Sequence, residues 1–120
     1  MTTNATTTAT YRTERRILRR TIRDLLSAGY TVTMYDGEEE SEPILTPTAG
    51  VEYVTWDDTA RGRALWNLDE FYVRARKTGA KGTFVWFIVG NGNGGHDVVT
   101  DYGVSLESIM DPILSTRRTS

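Results

Sequence analysis

Residues 83–89, Thr-Phe-Val-Trp-Phe-Ile-Val, form the most apolar run in the chain. Both alternating faces of this run are apolar, which predicts a central strand covered on two sides. It is bracketed by Lys77-Thr-Gly-Ala-Lys-Gly82 and Gly90-Asn-Gly-Asn-Gly-Gly95. Such glycine-rich segments, and Asn-Gly above all, signal hairpin turns. The flanking stretches 71–76 and 96–102 carry β-forming residues. Together the three segments predict an antiparallel meander.

The remaining elements follow from periodicity. Ile17, Leu18, Ile22, Leu25 and Leu26 recur at helical spacing within residues 11–28. Arg12, Arg16, Arg19, Arg20 and Arg23 fall on roughly the opposite arc of that helix. Gly29 fits the left-handed position that ends it. Residues 30–35, Tyr-Thr-Val-Thr-Met-Tyr, alternate as a strand, and Asp36-Gly37 turns the chain. The acidic run to Glu42 and residues 43–50 are loop-like, with a short strand at Ile44-Leu45, and residues 51–56 fit strand or helix. Residues 57–66 fit a weak helix that Gly62 interrupts. From Ser105, Leu106, Ile109, Met110, Ile113 and Leu114 define a terminal stripe. Pro112 predicts a kink there, or a restart with Asp111 as N-cap. Hairpins rather than βαβ crossovers dominate, so the expected class is α+β. The sheet has about four or five antiparallel strands, with the N- and C-terminal helices packed on it.

A chain of 120 residues is one domain by length. Residues 1–10 are half threonine and are expected to be a disordered tail, 11–116 the folded domain and 117–120 a frayed end. There is no cysteine, which excludes disulfides, thiol nucleophiles and cysteine metal sites. No apolar run approaches the ~20 residues that span a bilayer. The N-terminus lacks the charged and apolar regions of a secretory signal. The expectation is a cytoplasmic protein with no membrane contact. The net charge of −2 hides a segregation, with residues 12–23 basic and 36–42 acidic. This asymmetry fits a charged partner, or pairing of the two runs within the fold or between subunits.

The candidate sites cluster near the meander. The glycine loop could let backbone N–H groups approach an anion. It opens a strand, however, and lacks the Gly-Lys-Ser/Thr ending of a phosphate loop. Residues 92–99 approximate one calcium β-roll repeat, but such a roll needs stacked copies. His96 with Asp97, Asp101 and Ser105 has the residue types of a hydrolytic triad without a nucleophile elbow. Glu52, Asp57, Asp58, Asp69 and Glu70 offer carboxylates without accompanying histidines. The arginine arc could contact phosphates. Of the aromatic residues Trp56, Trp66, Tyr72, Phe84, Trp86 and Tyr102, one or two are candidates to stack on a planar ligand.

Three blocks carry a family resemblance. They are residues 17–38, Val89-Gly-Asn-Gly with Asp97-Val-Val-Thr-Asp-Tyr102, and Leu106-Glu-Ser-Ile-Met-Asp-Pro112. Together they resemble a group of small phage- and prophage-encoded proteins. A further similarity is to the phage sponge proteins that sequester the cyclic ADP-ribose-type signal of the Thoeris defence. That resemblance implies a small α+β oligomer holding a nucleotide between subunits through Arg, Asn and aromatic side chains. The residues here of the matching types are Arg16, Arg19, Arg23, Phe84, Trp86, Asn91 and Asn93, with His96, Asp97 and Asp101 beside them.

The expected function is thus a non-enzymatic, phage-type counter-defence protein, a homo-oligomer without cofactor or metal. It would sequester a cyclic nucleotide signal or block a host protein in the host cytoplasm. The alternatives are nucleic-acid binding through the Arg12–Arg23 helix face, or a small hydrolase using His96 and Asp97.

Overall fold

A computed structural model describes residues 4–54, 70–81, 83–90 and 93–115. The expected helix at 57–66 and the tail at 117–120 lie outside the described residues. The elements are α1 (Asn4–Ser27), β1 (Thr31–Tyr35), α2 (Pro47–Glu52), β2 (Glu70–Arg76), β3 (Phe84–Ile88), β4 (Val99–Tyr102) and α3 (Glu107–Ser115). The sheet is an antiparallel meander in the order β1-β2-β3-β4. With its helices this is an α+β fold.

Helix α1 buries the expected stripe, Ile17, Leu18, Ile22 and Leu25, while Arg12, Arg16, Arg19 and Arg23 are exposed. It ends where Gly29 takes φ 91°. The Tyr30 N–H donates to the Leu25 carbonyl at 3.1 Å, and the Gly29 N–H to Leu26 at 3.0 Å. This paired closure needs a left-handed residue, which glycine supplies without a Cβ clash. The helix starts at Asn4 rather than after residue 10. Extending an existing helix adds a hydrogen bond per residue without a new nucleation cost, so residues of modest propensity join it.

Two other expectations are corrected. Residues 43–50 are not all loop. Thr46 caps α2, accepting the Ala49 N–H at 3.1 Å, and Pro47 takes the first turn. Proline suits that position because its missing N–H would be unpaired there anyway. In addition, α3 runs continuously through Pro112 instead of restarting at Asp111. The carbonyl deprived of a donor there is that of Ser108, and both residues are exposed, so water can serve it.

The core lies between the helices and one face of the sheet. Val32, Met34, Phe71, Val73, Val85 and Phe87 point into it and meet Ile22, Leu25, Leu106 and Met110. Phe71 and Phe87 stack across neighbouring strands with centroids 5.2 Å apart. The helical arginines therefore lie on the outer surface, and the sheet has a second face turned away from the core.

The outer edge of β1 is partly covered by residues 40–44. Ile44 bridges Val32 and Glu40 bridges Tyr35. At Met34 the edge is closed by a serine: its N–H donates to Ser41 Oγ at 2.9 Å, and its carbonyl accepts the Ser41 N–H at 2.8 Å. Between α1 and the sheet's far end, the fully buried Glu14 accepts the Gly90 N–H at 2.6 Å. That bond, with the short 3-10 turn Asn93–Gly95, docks the β3–β4 connection onto α1.

Candidate functional site

Strand alternation fixes what the second sheet face presents. The register pairs Thr31 with Arg76, Thr33 with Arg74 and Phe84, and Tyr35 with Tyr72 and Trp86. Side chains two apart on a strand share a face, so these pairings become parallel rows. The middle of the face is an aromatic row. Tyr35 and Tyr72 have centroids 6.1 Å apart, and Tyr72 stacks on Trp86 at 5.9 Å with planes 17° apart. Phe84 meets Tyr72 edge-on at 6.3 Å. Tyr35, Tyr72, Phe84 and Trp86 are each only partly buried.

Polar groups hold these rings in place. The Trp86 indole N–H donates to Glu70 Oε2 at 2.8 Å. The Arg74 guanidinium lies 4.7 Å from the centre of the Tyr35 ring. Tyr35 itself donates to the Gly37 carbonyl at 2.9 Å. Glu40 accepts from both ends of the Arg76 guanidinium, at 2.5 and 3.1 Å, and also from the Thr33 hydroxyl. Arg74 is 3.9 Å from the same carboxylate. The Arg76 hydrogen bonds, then that of Thr33, lower the Glu40 pKa to about 2 despite an opposing desolvation effect. The pair formed with Glu40 raises Arg76 in turn.

The ten residues expected to contribute to a site do not form one cluster. Phe84 and Trp86 are on the aromatic face, with exposed Asp101 across from Trp86 on β4. Arg16, Arg19 and Arg23 are on the outside of α1, separated from that face by the core and the sheet. Arg23 bonds Asp24 at 3.0 Å. His96 and Asp97 sit partly buried in the β3–β4 connection. Asn91 lies outside the described residues, and Asn93 is placed by its backbone alone. The basic and acidic runs do not pair with each other through Glu40, whose cations come from β2. Ser105 donates its hydroxyl to the Lys81 carbonyl at 2.6 Å. Among the described residues, no group of three or more His, Asp or Glu side chains could hold a metal ion. Among the same residues, no helix is long and apolar enough to cross a membrane.

Several site residues had escaped the sequence reading: Tyr35, Arg74, Arg76 and Glu40. The alternation of 71–76 put Tyr72, Arg74 and Arg76 on one strand face, so that signal was present. Glu40 was hidden within a run of acids, because its partner Arg76 lies 36 residues away.

Compared with known proteins, the chain matches no family model, no curated protein and no solved structure.

Proposed function

We propose that this is a non-enzymatic binding protein whose aromatic sheet face holds a planar, anionic ligand of nucleotide type. The observation that supports the reading is the Tyr35–Tyr72–Trp86 row with Arg74 in the adjoining row and Arg76 in the row beyond it. Aromatic rings on an antiparallel sheet offer bases a stacking surface worth about 1–3 kcal/mol per base. Guanidinium groups beside them suit phosphate oxygens. The hydrogen bonds to Glu70, Gly37 and Glu40 fix these groups before any ligand arrives, which lowers the ordering cost of binding. A net charge of −2 favours a small ligand over a long polyanion, whose repeated phosphates repel an acidic protein. The resemblance to small phage proteins supplies the setting: sequestration of a nucleotide signal as a counter-defence, in the host cytoplasm.

Calorimetric titration of the folded protein with mononucleotides and cyclic nucleotides tests this. Binding that weakens at least tenfold in Trp86→Ala, with the fold intact by circular dichroism, is the expected result. The absence of heat with every nucleotide rejects the reading. If instead light scattering shows a dimer that Trp86→Ala dissociates, the face is a subunit contact.

A further inference from the structure

At the end of the sheet where β1 begins and the β2–β3 turn closes lies an open cleft of about 740 Å³. Its lining includes Thr31, Arg76, Lys77, Thr78, Lys81 and Thr83. Three of these are cations, and among the described residues no Asp or Glu lines the cleft. That is a local concentration of positive charge in a chain of net charge −2. Among the described residues, only Arg76 of the three has a carboxylate partner, Glu40.

The cations are not equivalent. Lys77 Nζ donates to the Ala28 carbonyl at 2.7 Å and lies 5.2 Å from the Tyr30 ring centre. These contacts fix its position, and no carboxylate among the described residues pairs with it. Lys81 is exposed, and no carboxylate among the described residues pairs with it. The turn that carries them closes with the Ala80 N–H donating to the Lys77 carbonyl at 2.9 Å, and Gly79 takes φ 86°. This turn brings Lys77 and Lys81 together with Arg76 and Thr31 in the lining of one cleft.

We propose that this cleft is a phosphate site, taking the phosphate or diphosphate of a small ligand between Arg76, Lys77 and Lys81. Ammonium groups bind phosphate as point charges, and Arg76, whose two terminal nitrogens are engaged by Glu40, adds its remaining charge beside them. The hydroxyls of Thr31 and Thr78 can donate to the remaining oxygens. Arg76 belongs both to the cleft and to the sheet face. One strand repeat of two residues separates it from the Arg74–Phe84 row, a distance of about 7 Å. A nucleoside phosphate anchored in the cleft thus reaches the aromatic face with its base. That link to a base rests on the sheet-face reading, whereas the phosphate site rests on its own cations.

The test is a titration of isotope-labelled full-length protein with inorganic pyrophosphate, followed by amide shifts. The result expected is saturable shifts at Thr78, Gly79, Lys81 and Thr83, with affinity falling at least tenfold in Lys81→Glu. Lys81 is exposed, and its side chain takes no part in the core, so this variant folds. The absence of shifts at millimolar pyrophosphate, or shifts confined to the α1 arginines, overturns the proposal. A parallel titration with adenosine diphosphate separates the two readings. If Trp86→Ala weakens it and Lys81→Glu does not, the phosphate site falls and the sheet-face reading stands. If pyrophosphate binds in the cleft but Trp86→Ala leaves adenosine diphosphate affinity unchanged, the sheet-face reading falls alone. Tighter binding of a short oligothymidylate, with shifts spreading to Arg16 and Arg19, overturns the small-ligand assignment.

Discussion

Among the described residues, the exposed arginines lie in two places of different character. On the outside of α1, Arg12, Arg16 and Arg19 are exposed and have no carboxylate partner among the described residues. On the sheet, Arg74 and Arg76 are paired with Glu40, and Arg74 is set against the Tyr35 ring. Flexible three-methylene stems and solvent screening leave the helical group a diffuse field. The sheet group has a shape. Charge that is anchored next to stacking surfaces can recognise a particular ligand, whereas an equal amount of loose charge mainly steers encounter. The more conspicuous feature of the sequence is therefore the less selective surface.

The largest effect that would break this comparison is loss of the scaffold common to both regions. Phe87→Ala removes a fully buried ring stacked on Phe71, and should cost about 3–5 kcal/mol in urea denaturation. Glu14→Ala should cost about 1–3 kcal/mol, since the Gly90 N–H loses its buried acceptor. Hydrogen exchange at Gly90 should accelerate in that variant, while amides of β2 keep their relative order of protection.

A smaller change sharpens the contrast between the two arginine groups. Glu40→Gln should cost about 1 kcal/mol, an amount discounted for the partial exposure of the pair. Its pH dependence has a definite sign. The Glu40 pKa is lowered to about 2 from an ordinary 4.5, so its contribution is fully present above pH 4.5. It is lost as pH falls from there towards 2. The stability gap between the native protein and Glu40→Gln should therefore shrink across that window. A gap that stays constant would show that the Arg76 pair contributes nothing. The smallest effect belongs to α1: replacing Arg16 and Arg19 together by Gln should change stability by less than about 0.5 kcal/mol. Nucleotide affinity should move less than about threefold in that double variant, since steering affects rate more than equilibrium.

Much of the architecture was legible because it depends on local periodicity. The α1 stripe, the Gly29 cap, the Asp36-Gly37 turn and the three-stranded meander all follow from residues near one another. Asp36 illustrates this, accepting the Glu38 and Glu39 N–H groups at 2.8 and 2.7 Å. Helix α2 was missed although Thr46-Pro47 carries a helix-start signal, because six residues are too few for an apolar period to register. Nothing local marks Glu14, one acid on an arginine-rich helix, as buried; the return of the chain at Gly90 gives it its backbone donor. The aromatic row was invisible for a related reason. Tyr35, Tyr72 and Trp86 become neighbours only through cross-strand register, which individual alternating segments do not specify.

The Ser41 hydroxyl at the Met34 N–H has a consequence for self-association. Residues 40–44 satisfy part of the β1 edge, and Pro43, with no N–H of its own, cannot donate to an incoming strand. Edge-to-edge growth on that side is blocked, so strand-mediated polymerisation has no two-ended template. Among the described strands, β4 is the other edge of the sheet, and it is there that an incoming strand would meet backbone groups not already taken by residues 40–44.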